Sequence, residues 1–198
     1  HIKHGYPFKS EYFSDDGHYV VLTPGNFHEA GGFKRQAEKE KYYLGDIPED
    51  YLHSKGDLIV AMTEQSAGLL GSCAFVPEEN TYLHNQRLGL ISTDPKELNK
   101  SFVYYLFQTK SVREQIRLTS TGSKVKHTSP DRLYAVTAPL PKVDEQKKIA
   151  AILSALDAKI DCNNRINAEL EAMAKTLYDY WFVQFDFPDA SGKPYKSS

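Results

Sequence analysis

Cysteine is scarce in this chain: Cys73 and Cys162 are the two thiols among 198 residues. Two isolated thiols exclude a disulfide framework and a four-cysteine zinc site, and a reducing cytosol fits them best. Long apolar runs are missing too. No stretch approaches the roughly 18 apolar residues of a membrane span, and the opening HIKHGYPFKSEYF lacks the apolar centre of a signal peptide. The expectation is a soluble, cytoplasmic protein with no membrane partner. The chain opens on His1 rather than Met, which leaves room for residues ahead of it. An excess of one charge is also missing, since Lys and Arg number 24, Asp and Glu 26, for a formal net charge of −2. That excludes a nucleic-acid binder acting through overall charge, so any DNA contact must be local. What remains is ordinary globular composition, 40% hydrophobic and 25% charged, which supports a real core. The length allows one full domain with an appendage, or two small domains.

Signatures of catalysis are lacking as well. Gly68-Leu69-Leu70-Gly71 is not followed by the Lys-Ser/Thr of a phosphate loop. A base methyltransferase needs a glycine-rich cofactor loop after a strand and an Asn/Asp-Pro-Pro-aromatic run, and neither occurs. A metal nuclease could be drawn only from Pro130-Asp131 with Asp157-Ala158-Lys159. That pairing is poor, because Asp157 and Lys159 fall on a long helix beyond the Pro139-Leu140-Pro141 break. The seven histidines show no zinc spacing, so neither a catalytic residue nor a metal ligand is expected.

Charge by segment is more informative than the total. Residues 1–45 carry 6 basic and 6 acidic residues, 46–99 carry 3 and 9, 100–142 carry 8 and 2, and 143–198 carry 7 and 9. The net +6 of 100–142 is a candidate footprint for phosphate, with a solvated helix face as the alternative. Within it, Lys124, Lys126, Arg132, Arg113 and Arg117 are the candidate phosphate contacts. The hydroxyl- and cation-rich run Thr121 to Ser129 offers amides, hydroxyls and lysines to phosphate, and side chains such as His127 to base edges.

Up to about residue 142 the pattern is of short strands between turn residues: Tyr19–Leu22, Leu58–Met62, Ser72–Val76, Leu88–Ile91 and Tyr134–Thr137. One helix, Lys100–Thr119, interrupts them, with Phe102, Tyr105, Thr109, Val112 and Ile116 on one face and Lys110, Arg113 and Arg117 on the next. After Pro139-Leu140-Pro141, Asp144 is placed to cap a helix from Glu145 to about Phe185, free of proline and glycine. Its three-four series Ile149, Leu153, Leu156, Ile160, Asn163, Asn167, Leu170, Ala174, Leu177, Trp181 is apolar at eight of ten positions, which is a coiled-coil seam. Ile152, Ile166, Met173 and Tyr180 widen it toward more than one partner helix. Asn163 and Asn167 sit mid-seam, where buried amides fix register and orientation. From 149 to 181 the helix spans roughly 48 Å, too long to bury itself on a domain of this size. The fold class is therefore α+β: a mixed, strand-rich domain at 1–142, a long coiled-coil-forming helix at 143–187, and a turn-rich tail or linker at 188–198.

Several pieces then fall into a known order. Gly5-Tyr6-Pro7-Phe8, Lys55-Gly56-Asp57-Leu58-Ile59-Val60-Ala61-Met62-Thr63, Asn85-Gln86-Arg87-Leu88, Phe102-Val103-Tyr104-Tyr105-Leu106, Thr121-Gly122-Ser123, and Pro139-Leu140-Pro141 with Glu145-Gln146-Lys147-Lys148-Ile149 together resemble the DNA-specificity subunit of type I restriction-modification enzymes. Gln184-Phe185-Asp186-Phe187-Pro188 at the helix exit is similar too. The resemblance implies one target recognition domain with one spacer helix, a half-sized subunit or a piece of a longer one. It implies reading one half of a split target on double-stranded DNA, with the helix as ruler between halves. The expected pairing is a homodimer through that helix or association with a second specificity unit. It also implies a modification (methyltransferase) subunit and, through the complex, a restriction subunit as partners. S-adenosylmethionine, ATP and magnesium would then reside on those partners, leaving this chain non-catalytic and without a cofactor. Tyr178, Tyr180, Trp181 and Phe182 are candidates for the modification-subunit contact, or for packing on the globular domain or the chain's own tail. Base readout is expected of loop residues: Ser123, His127, Thr63, Gln65 and Lys34. A protein-binding coiled-coil adaptor and a metal-dependent nuclease remain as alternatives.

Overall fold

The computed structural model describes residues 1–64, 66–185 and 187–197, the last without its side chain. They form two compact units, His1–Ala150 and Ala151–Ser198. The first contains two four-stranded sheets. One runs in the order β1 (Ile2–His4), β8 (Leu88–Ile91), β5 (Leu58–Ala61), β6 (Cys73–Phe75), all antiparallel. The other runs β2 (Phe13–Ser14), β4 (Tyr42–Tyr43), β3 (Val20–Leu22), β7 (Tyr82–His84), with β3 and β7 parallel.

Strand β5 explains the layering. All four residues of Leu58-Ile59-Val60-Ala61 are fully buried, and the alternation of a strand sends them into two different cores. Leu58 and Val60 join Ile2, Cys73 and Ile91 against helical Val103, Phe107, Val112, Ile116 and Leu133. Ile59 and Ala61 join Ala74 and Leu88 against Val20, Leu22 and Tyr82 of the second sheet. A continuous apolar strand is what a position between two covering layers requires.

The structure revises three sequence expectations. The single helix over 100–119 is two, α1 (Lys100–Gln108) and α2 (Lys110–Thr119). Thr109 between them is extended, and its hydroxyl accepts from Val112 N at 3.4 Å, so it ends one helix and caps the next. The break lets Phe102, Val103 and Phe107 face the core separately from Val112 and Ile116, while Tyr105 and Thr109 lie outside it. The strand expected at Tyr134–Thr137 does not form: Pro130, whose fixed φ suits the first helical position, opens the short helix α3 (Pro130–Tyr134). The Tyr134 hydroxyl instead accepts from Ile2 N at 2.6 Å, steadying β1. The third concerns the long helix, α4, which starts at Val143, placing Asp144 inside the first turn, where it pairs with Lys147 at 3.6 Å.

Gln146 fastens the start of α4 to the first unit. Its buried side chain accepts from Asn99 N at 2.9 Å and donates to Glu97 O at 3.1 Å and Pro141 O at 2.9 Å. Asn99 in turn caps α1 by accepting from Phe102 N.

In the second unit α4 runs on to Tyr178, short of Phe185, and from Ser154 to Tyr178 every residue is exposed. A wider π-helical turn, Asp179–Val183, follows, and Phe185 leaves it with φ +55. The tail folds into a turn held by the Asp189 carboxylate, which accepts from Ser191 N, Ser191 Oγ and Lys193 N. Trp181 stacks on Phe187, and Phe187 on Tyr195, at centroid distances of 4.9 and 5.0 Å. Among the described residues no helix is long and apolar enough to cross a membrane.

Candidate nucleic-acid interface

Strand directions bring five loops to one end of the first unit. His4 pairs with Gly89, so the exit of β1 lies beside the start of β8. Ala61 pairs with Leu88 and Val60 with Cys73, so the β5–β6 loop emerges there too. Leu22 pairs with His84 in the parallel β3–β7 ladder, which adds the loop after β3 and the β7–β8 turn. Backbone bonds then stitch the fifth loop, residues 121–128, onto this end: Glu64 N donates to Lys126 O at 2.9 Å and Thr128 N to Met62 O at 2.9 Å.

That fifth loop is tight. Thr121 and His127 exchange backbone hydrogen bonds of 2.9 and 2.8 Å, and Gly122 turns the chain with φ +98. A Cβ on Gly122 would lie 2.0 Å from Val125 O, so no other residue fits there without moving the turn. The fold leaves Ser123, Lys124 and His127 exposed and Lys126 half-buried. Thr63 is buried, with its hydroxyl 3.1 Å from His127 Nδ1, so it orients the ring instead of reaching outward. Arg132 Nη1 donates to Thr121 Oγ1 at 2.9 Å, bracing the same loop.

The two arginines of α2 differ. Arg113 Nη2 donates to Glu29 O at 2.7 Å and to Gly68 O, clamping two of the loops together, and burial lowers the pKa of its guanidinium. Arg117 is exposed on the same helix. With Lys110, Glu114, Glu64 and Arg113 it lines a cavity of about 300 Å³. Lys34 lines a larger one, about 490 Å³, with His28, Gln36 and Ser66. Gln65, a candidate base reader, lies outside the described residues. The structure thus gathers Thr63, Ser123, Lys124, Lys126, His127 and Arg132 at one point, and ties Arg113 to the loop end through Glu29 and Gly68. Sequence reasoning missed His28, Gln36, Gln86 and Arg87 at this end, because strands of two to four residues give too little periodicity to show which loops share an end. The only advance signal was Asn85-Gln86-Arg87 itself. Among the described residues no group of three His, Cys, Asp or Glu side chains could hold a metal ion.

Residues 1–172 match the family described as Type I restriction modification DNA specificity domain. The chain belongs to that family. It is 36% identical over 185 residues to the type I restriction enzyme MjaIX specificity subunit of Methanocaldococcus jannaschii, covering 79% of this chain and 42% of that protein. It is 30% identical over 182 residues to the EcoBI specificity subunit of Escherichia coli, covering 89% and 34%. The fold is similar to the type I restriction-modification S subunit from M. genitalium, with a TM-score of 0.58 at 20% identity, covering 96% of this chain and 44% of that one. The chain therefore spans between about a third and somewhat under half of the length of these relatives. What the chain shares with the M. genitalium structure is the fold, an α+β domain followed by a long helix.

Proposed function

We propose that the first unit reads one half of a split target on double-stranded DNA, and that α4 is both the ruler between half-sites and the pairing element. The observation that carries this reading is the convergence of five loops, bearing Lys34, Lys124, Lys126 and His127, at one end of a domain from a DNA-specificity family. Lysines fix the domain on phosphate, while His127 and Ser123 reach base edges. Arg113 and Arg132 act chiefly by holding the loops in place.

The seam Ile149, Leu153, Leu156, Ile160, Leu170 and Leu177 supports a partner helix, since Leu156, Leu170 and Leu177 are each more than half exposed in the single chain. An isologous homodimer would join two identical readers and select a palindromic split site, whereas a second, different unit would select an asymmetric one. In this reading the assembly acts in the cytoplasm and positions a methyltransferase subunit and a restriction subunit, which bring S-adenosylmethionine, ATP and magnesium.

The test is selection from randomised duplexes by this chain assembled with its modification subunit. Enrichment of a split sequence supports the reading. Binding with no sequence preference, or no salt-dependent binding at all, contradicts it; the latter outcome favours a protein-binding adaptor.

A further inference from the structure

The turn between β7 and β8 is held rigidly and left unused. Asn85 Oδ1 accepts from Arg87 N at 2.9 Å and Asn85 O from Leu88 N at 2.9 Å, which fixes the turn from within. From outside, Tyr6 N donates to His84 O at 3.1 Å and Gly5 packs so closely that a Cβ would lie 1.9 Å from Asn85 O. The side chains of Gln86 and Arg87 are nevertheless exposed and make no hydrogen bond or ion pair with the described residues. They rim a cavity of about 270 Å³ walled by Tyr6, Phe8, Phe13 and Thr23. Lys41 also borders this cavity, but its amine is paired with Asp15.

Backbone hydrogen bonds set this turn against the proposed readers. Met62 N donates to Arg87 O at 2.8 Å, and Met62 O accepts from Thr128 N at 2.9 Å. Arg87 and the His127 loop are therefore neighbours, joined through the backbone of Met62. A phosphate held at Arg87 would thus lie beside the loop whose His127 faces the bases.

We infer that this cavity is an anchor for the DNA sugar-phosphate backbone, distinct from the basic segment 100–142. The inference deepens the proposed DNA reading and rests on it. A stacked duplex presents its backbone as a convex ridge and keeps its bases inside, so a concave site takes the ridge. Arg87 supplies a bidentate cation for the phosphate, Gln86 and Thr23 supply donors, and the rings of Tyr6, Phe8 and Phe13 cover the apolar face of the deoxyribose.

The experiment measures binding of the full chain, assembled with its modification subunit, to several fluorescent duplexes of unrelated sequence across a salt series, for wild type, Arg87→Ala, Arg87→Lys and Gln86→Ala, with circular dichroism of each chain as the check on folding. Arg87→Ala should weaken every duplex by a similar factor, about tenfold, and reduce the slope of log K against log salt by about 1, with Arg87→Lys restoring part of both. If wild type binds in a salt-dependent way and Arg87→Ala leaves affinity and slope unchanged, the anchor is refuted while the DNA reading stands. A loss confined to one sequence would refute it in favour of base readout. Absence of salt-dependent binding by wild type would overturn both.

Discussion

Strand β5 and the 154–178 stretch of α4 both carry aliphatic side chains, with opposite fates. Leu58, Ile59, Val60 and Ala61 are 0% exposed, whereas Leu156, Leu170 and Leu177 are 56%, 57% and 57% exposed. The first unit satisfies its apolar periodicity internally, with helices on one side of β5 and a second sheet on the other. The second unit carries an apolar periodicity that its own residues do not cover. In the proposed reading they are half of an assembly: a reader with its own core, and a helix whose apolar face is covered by a neighbour.

Substitutions separate the two halves. Ile59→Ala should cost about 2–5 kcal/mol in urea unfolding, while Leu170→Ala should fall within about 0.5 kcal/mol at dilutions where the chain is monomeric. Equal costs would break the contrast, because they would mean that Leu170 is already buried. Gln146→Ala comes next, at about 2–3 kcal/mol. It deletes three part-buried hydrogen bonds and leaves Asn99 N and Glu97 O without these partners, and thermal melts would report the loss.

A third expectation concerns acid. His84 is fully buried, its ring tilted against His53 at a centroid distance of 4.7 Å, and burial followed by the neighbouring His53 lowers its pKa to about 3. A folded-state value below the unfolded value of about 6.5 means that the unfolded chain takes up the proton first. Stability is then full above pH 6.5 and declines as pH falls toward 3, by up to about 1.4 kcal/mol per unit. Asp57 is held below the usual carboxylate range, first by the hydrogen bond from His53, and it adds loss in the same direction at lower pH. Urea midpoints at pH 7 and 5 check the slope, which should flatten in His84→Phe. The smallest effects belong to the loop lysines: Lys124→Ala or Lys126→Ala should each lower the salt slope of DNA binding by about 1 without altering stability. An unchanged slope would remove that lysine from the phosphate contacts.

Much of this organisation was legible from residue order. The run Leu58 to Met62 announced a strand, though not that both its faces would be covered, and the three-four series from Ile149 announced a long helix with an apolar seam. Other features depend on through-space events that no local pattern carries. Thr109 divides a helix because its hydroxyl caps the second half better than it continues the first. Arg113 looked like a surface cation until its guanidinium met the Glu29 and Gly68 carbonyls, whose loops are distant in sequence. Strands as short as Phe13–Ser14 and Tyr42–Tyr43 are invisible to periodicity, and with them the fact that the loops after β1, β3, β5 and β7 share one end. His127 was picked out by its loop, yet its partner Thr63, 64 residues away, emerged as its orienting group only from the fold.

The most direct test of the two-part account is mass in solution, by light scattering over a concentration series, for wild type and for the Leu156→Lys, Ile160→Lys double variant. The account predicts an assembly for wild type, a homodimer at about twice 22.4 kDa, that the two lysines dissociate while the first unit keeps its melting temperature. A wild-type chain that stays at 22.4 kDa at every concentration, and still does so when mixed with a second specificity unit or the modification subunit, would contradict it.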